Sequence, residues 1–165
     1  MSPVELVILD ERLRAWGLPT YQSPMAAAID LHACIDEPLE LHPGRAPLLI
    51  SCGFAIHMAD PGMAALILPR SGLGHAQGLV LGNLVGLIDP DYTGPIMASA
   101  WNRNGPGTAP ITIAPGQRFA QMLFVPVLRP SFVTVERFGE SSRRGSGGFG
   151  STGARPGQPG PSSQE

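Results

Sequence analysis

The chain contains no lysine; all 11 basic residues among its 165 are arginine. That excludes Schiff-base catalysis and the lysine of a Walker-type phosphate loop. Any phosphate held here must be held by arginine or by backbone N–H groups. Cysteine is scarce: Cys34 and Cys52 stand without a CxxC motif, too few for a disulfide framework in a chain of this size. There is no surplus of basic charge, the formal net charge being −2. The electrostatic face that nucleic acid requires is therefore missing, and no nucleic-acid partner is expected. No run approaches the roughly 20 apolar residues of a membrane helix, so no membrane association is expected. The segment MSPVELVILDERLR has a short apolar run flanked by acids, unlike the basic start and long apolar core of a signal peptide. A cytoplasmic location with reduced thiols is the expectation. The histidines, His32, His42, His57 and His75, share no ligand spacing with one another or with cysteine. Zinc is therefore not expected, and each reads as surface or structural. Trp16 and Trp101 read as packing residues.

Turn formers, by contrast, are abundant. The chain has 21 glycines and 18 prolines, which punctuate it into many short segments. Hydrophobic residues make up 43% and charged residues 15%, enough for one folded domain. Strand-like runs recur at Val4 to Leu9, Leu48 to Met58, Met63 to Leu68, Leu79 to Leu81, Ile96 to Trp101, Ile111 to Ile113, Arg118 to Val127 and Phe132 to Phe138. Many are rich in Val, Ile, Leu or Phe and bounded by Gly, Pro or Asp. A short helical turn is expected within Ser71 to Gln77. Regular short strands of this kind predict an all-β sandwich, jelly roll or barrel.

Composition shifts near Glu140. From there to Glu165 the only large apolar residue is Phe149; such a segment cannot bury enough surface to offset its ordering entropy. The organisation read from sequence is a folded domain over 1–139, a glycine-rich arm over 140–153, and a disordered tail over 154–165. The arm includes RRGSGGFGSTG, with two arginines, one aromatic and five glycines. Gly145 to Gly150 matches GxGxxG, but a dinucleotide fold needs a strand before it and a helix after it, and a polar tail supplies neither. What survives is that consecutive glycines let backbone N–H groups approach phosphate oxygens closely.

Three further segments carry chemistry-bearing residues. In PRSGLGHAQGLVLGN, Pro69 to Asn83, Arg70 offers a bidentate guanidinium, Ser71 a hydroxyl and Gly72 an approachable amide. GLIDPDYTGPIM, Gly86 to Met97, reads as a hairpin turn between two apolar strands, with Asp89, Asp91 and Tyr92 at its tip. PGQRFAQMLFVPV, Pro115 to Val127, alternates as a half-buried strand whose polar exceptions are Arg118 and Gln121.

In their order and spacing these segments resemble the five motifs of the trimeric dUTPase family, bacterial type. AAAIDLHA (Ala26 to Ala33) resembles the first motif, PRSGLGHAQGLVLGN the second and GLIDPDYTG the third. APGQRFAQM resembles the fourth and RGSGGFGSTG the fifth. The resemblance spans roughly Ser23 to Gly153. Departures from the family pattern fall at Ala28, His32, Ala76 and Gln117.

The resemblance implies a distorted jelly roll, a β-clip-like barrel, assembled as a homotrimer with shared active sites and a flexible glycine-rich C-terminal arm. It implies hydrolysis of dUTP to dUMP and pyrophosphate by water attack at the α-phosphorus, with Mg²⁺ as cofactor. Asp89 is then expected to orient and deprotonate the water. Arg70, Ser71, Gly72 and Gln121 are expected to hold phosphates, joined by Arg144, Ser151 and Thr152 from another subunit's arm. Phe149 is expected to stack on the base and Tyr92 to pack on the sugar. Asn83, Leu87, Ile88 and Met97 are expected around uracil. Mg²⁺ should be held by substrate phosphates and waters with no direct protein ligand, and Asp30 is expected to be structural or to act through water. The nearest rival, a dCTP deaminase, shares the fold but is disfavoured by the Asp89–Tyr92 segment and the arm. A dUTP-binding regulator without turnover is the rival of a different class.

Overall fold

The computed structural model describes residues 3–139. The chain divides into two contact units, Met1–Leu128 and Arg129–Glu165. The first holds every regular element of the described residues: β1 Glu5–Ile8, α1 Leu13–Trp16, β2 Ile29–His32, β3 Leu39–Leu41, β4 Leu48–His57, β5 Met63–Pro69, a π-helical turn Leu73–Gln77, β6 Leu79–Leu81, β7 Gly86–Ile88, β8 Pro95–Asn102, β9 Ile111–Ile113 and β10 Arg118–Pro126.

The strands form two four-stranded sheets, β1-β4-β8-β6 and β2-β10-β5-β7, and a β3-β9 pair. Every pairing is antiparallel. Side-chain alternation explains how the sheets share one core. Along β8, Ile96, Ala98 and Ala100 are buried while Pro95 and Met97 face outward, the period-2 pattern of a sheet with one dry face. Ile50 and Phe54 of β4 join Leu31 of β2, Ile67 of β5, and Phe119 and Met122 of β10 in the same cluster. Each such side chain contributes about 1.5–3 kcal/mol by leaving water.

A bulge interrupts β4 between Ser51 and Ala55. Its centre is Gly53, at φ +77, whose carbonyl accepts both Leu9 N and Asp10 N at 2.8 and 2.9 Å. A Cβ there would land on the Cys34 sulfur, so conformation and space both require glycine. Both cysteines are free and buried. Burial pushes the Cys34 thiol up to about 11 and raises that of Cys52 as well. They act as small apolar core residues, not as nucleophiles.

Seven of the strand-like runs correspond to strands, and the expected helical turn is the π-turn. The run Phe132 to Phe138 does not: residues 129–139 carry no regular element. Phe132 is 94% and Phe138 89% exposed. β-propensity makes a strand only where a partner completes the ladder, and within the described residues of that unit no ladder forms. α1, β2 and β3 are not among the runs read from sequence: each is three or four residues long and interleaves polar residues with apolar ones, as in Ile29–His32 and Leu39–Leu41.

Candidate functional site

β5 ends at Pro69 and delivers Arg70, Ser71 and Gly72 to the mouth of a cleft of about 340 Å³, which Asp30 of β2, Leu73 and Gln121 of β10 complete. Three strands that are neighbours in one sheet thus bring four of the expected phosphate-binding residues together. Asp30 sits at the centre. Its Oδ1 takes Arg70 Nε at 3.0 Å and its Oδ2 takes Arg118 Nη1 at 3.0 Å. Arg70 Nη1 donates to Arg118 O at 2.9 Å. Gln121 Nε2 donates to Pro69 O at 2.9 Å, anchoring the end of β5. Asp30 is 13% exposed at its side chain, against 33% for Arg70. One half-buried carboxylate therefore orients two guanidiniums and leaves one positive charge uncompensated. Arg70 Nη2 has no acceptor among the described residues. With a hydroxyl and a glycine amide beside it, the cleft presents donors that are already held in place, a chemistry suited to an anion.

His32, two residues along β2, is buried at 8% exposure. Its imidazole titrates below its ordinary value, first because of burial, then because of Arg118 and, more weakly, Arg70, with Asp30 opposing. These surroundings favour its neutral form.

The second cluster departs from expectation in its geometry. Residues 86–97 do not form a hairpin. β7 pairs with β5, while β8 pairs with β4 and β6, so the connection turns a corner between the two sheets. Two-residue turns let strands pair with each other; here six residues intervene, and Pro95 has no N–H for a ladder. The corner is stabilised locally instead. Tyr92 N donates to Asp89 O at 3.2 Å, and Ala59 N to Pro90 O at 3.1 Å. The Tyr92 hydroxyl donates to Pro95 O at 3.0 Å. Gly94 makes room for the ring: a Cβ there would stand 2.7 Å from Tyr92 Cζ. Asp89, Tyr92, Asn83, Leu87 and Met97 are exposed and Ile88 is half-buried.

None of these residues lines the arginine cleft, and strand register explains why. Ile88 lies opposite Ala65, so Asp89 leaves toward the start of β5, whereas Arg70 follows its other end. At about 3.3 Å per residue the two are separated by roughly 20 Å. Arg144, Phe149, Ser151 and Thr152 lie outside the described residues. Sequence reasoning missed Arg103 and Asn104, which donate to carbonyls of the turn that follows Arg70. Such contacts leave no periodic or compositional mark.

An antiparallel fold of two four-stranded sheets and a two-stranded pair, with an arginine-lined cleft at the end of β5, defines the class; comparison with known proteins narrows it. A family model for dUTPase matches residues 14–153. A deoxyuridine 5'-triphosphate nucleotidohydrolase of Methylibium petroleiphilum is 55% identical over 94% of this chain and 100% of its own. One from Bordetella avium is 57% identical over 93% and 99%. In fold the chain is similar to a variant dUTPase of Staphylococcus bacteriophage 80alpha solved with dUpNHpp, at TM-score 0.79 and 23% identity, covering 93% of this chain and 99% of that one. The chain belongs to the dUTPase family.

Proposed function

We propose that the protein hydrolyses dUTP to dUMP and pyrophosphate by attack of water on the α-phosphorus, as a homotrimer whose sites are each assembled from more than one chain. The product dUMP supplies the dTTP precursor, and removal of dUTP keeps uracil out of DNA. The observation that carries the shared site is the separation of Asp89 from the arginine cleft by the length of β5. A triphosphate is too short to bridge that separation, which supports a site in which the cleft of one copy meets the Asp89 corner of another.

In this reading Arg70, Ser71, Gly72 and Gln121 grip the phosphates, and the exposed Asp89 carboxylate orients the water and accepts its proton. Uracil lies along β7. Among the described residues that strand pairs only with β5, so its outer edge offers backbone donors and acceptors to the base at Leu87 and Ile88, with the Asn83 amide and Met97 beside it. Cytosine would present a donor where uracil presents an acceptor, leaving groups mispaired. Tyr92, fixed by Pro95 and Gly94, packs on the sugar and disfavours a 2′-hydroxyl. Arg144, Ser151 and Thr152 add phosphate contacts from another subunit's arm, where Phe149 covers the base. The folded domain over 1–139, the arm over 140–153 and the tail over 154–165 divide these tasks.

The donor set fits a magnesium ion carried on the triphosphate. Among the described residues no three His, Cys, Asp or Glu groups converge, and Asp30 already engages two guanidiniums. Bound there, Mg²⁺ would neutralise phosphate charge. Within the cell we place the enzyme in the cytoplasm, with no nucleic-acid or membrane partner. Pyrophosphate release from dUTP, dCTP, dTTP and UTP, with and without Mg²⁺, tests the activity. Release from dUTP alone is expected, and ammonia from dCTP, or binding of dUTP without turnover, would refute it.

A further inference from the structure

We propose that Arg103 and Asn104 are positioning residues that set the register of the phosphate-gripping turn, and so tune affinity for the outer phosphates without touching substrate. The inference rests on the reading of Arg70, Ser71 and Gly72 given above. Those residues open a turn that runs through the π-turn to Gly78, with Gly74 N donating back to Arg70 O at 2.8 Å. The carbonyls at the end of any helical turn lack internal partners, and three here are claimed by one loop, the one that follows β8. Arg103 Nη2 donates to Gly74 O at 3.1 Å. Asn104 Nδ2 donates to Gln77 O at 2.7 Å. Arg103 N donates to Gly78 O at 3.0 Å.

The brace is itself anchored. Asn104 N donates to Asn102 Oδ1 at 3.0 Å. Asn102, 1% exposed, donates from Nδ2 to Leu41 O at 2.9 Å. Gly78 is fitted to it: at φ +78 the backbone favours glycine, and a Cβ would stand 2.7 Å from Asn104 Cγ. A line of hydrogen bonds thus runs from the buried end of β8 through Asn104 and Arg103 to the loop that carries Arg70. The Asp89 corner has no part in it.

The test compares binding of dUMP, which carries one phosphate, with binding of the dUTP analogue dUpNHpp, by calorimetry in the presence of Mg²⁺. With Arg103→Ala, affinity for dUpNHpp is expected to fall roughly tenfold, the scale of losing a hydrogen bond from a charged donor. Affinity for dUMP should change less than about threefold, within what a single outlying neutral contact carries. Arg103→Lys, which keeps one donor, should recover most of the loss. Asn104→Ala reads the same brace independently and serves if Arg103→Ala does not fold. Equal losses for both nucleotides, or none for either, would overturn the positioning role while leaving dUTP hydrolysis intact. Failure of the unaltered chain to bind dUpNHpp would instead bring down the functional reading on which it rests.

Discussion

At the scale of single residues, two groups carry the sharpest expectations. Asp89 is exposed and free of salt bridges among the described residues, so its removal should cost chemistry and not stability. Asp89→Asn is expected to keep dUTP affinity and the melting temperature while kcat falls by about 10²–10⁴. Single-turnover kinetics beside a titration with dUpNHpp would show it; near-normal kcat would refute the assignment. His32 concerns pH. Burial and the two neighbouring arginines hold its folded pKa below the ordinary 6.5, with Asp30 only partly offsetting them. The unfolded chain therefore binds the proton first as pH falls, so His32 favours folding fully above about 6.5 and loses that contribution below it. Melting temperatures from pH 7.5 down to 5.5 should decline, and His32→Asn should flatten that slope. A variant with an unchanged slope would show that other groups dominate. Arg70, Ser71 and Gly72 stood out in sequence because a guanidinium, a hydroxyl and an approachable amide suit an anion, and Gln121 only through the family resemblance. Arg103 and Asn104 did not, because a side chain that satisfies a distant carbonyl looks in sequence like any polar loop residue.

At the scale of elements, the proposed function puts selectivity at the corner between β7 and β8. Its sequence reads as a hairpin because Asp-Pro-Asp and Thr-Gly are turn formers, and turn chemistry is local. Which sheet each leg joins is not local, and β7 and β8 go to different sheets. That leaves the far edge of β7 unpaired among the described residues and places Tyr92 across Gly94 with its hydroxyl on Pro95 O. Gly94→Ala must displace the ring. The kcat/KM preference for dUTP over UTP is expected to fall by about tenfold, the scale set by small steric changes in a fitted pocket. An unchanged preference with unchanged kcat/KM would mean that Tyr92 does not police the sugar.

At the scale of the whole molecule, the separation of the arginine cleft from Asp89 predicts complementation. Asp89→Asn and Arg70→Ala chains, each nearly inactive alone, should regain activity when unfolded together and refolded. Random mixing of chains in a closed ring leaves about a quarter of the sites with both residues intact. Recovered pyrophosphate release from the mixture, and a three-chain particle by light scattering, would bear out the shared site. A mixture no more active than its components would place both residues in one chain's site and overturn it. The second unit follows the same logic: Phe132, Val133 and Phe138 have strand-forming character yet stand exposed, because apolar residues become a strand only when something pairs with them.

Local chemistry was enough for the sequence alone to determine a good deal. Short strands follow from period-2 alternation and from 21 glycines and 18 prolines, and the absence of lysine leaves arginine and backbone N–H groups as the only means of holding a phosphate. Only the tertiary structure decided that Asp30 yokes Arg70 to Arg118, that residues 86–97 turn a corner, that Asp89 lies a strand's length from the cleft, and that the loop after β8 braces the phosphate turn. Each of these depends on pairing between residues far apart in the chain, and strand register, unlike alternation, is set by partners that a local pattern does not name.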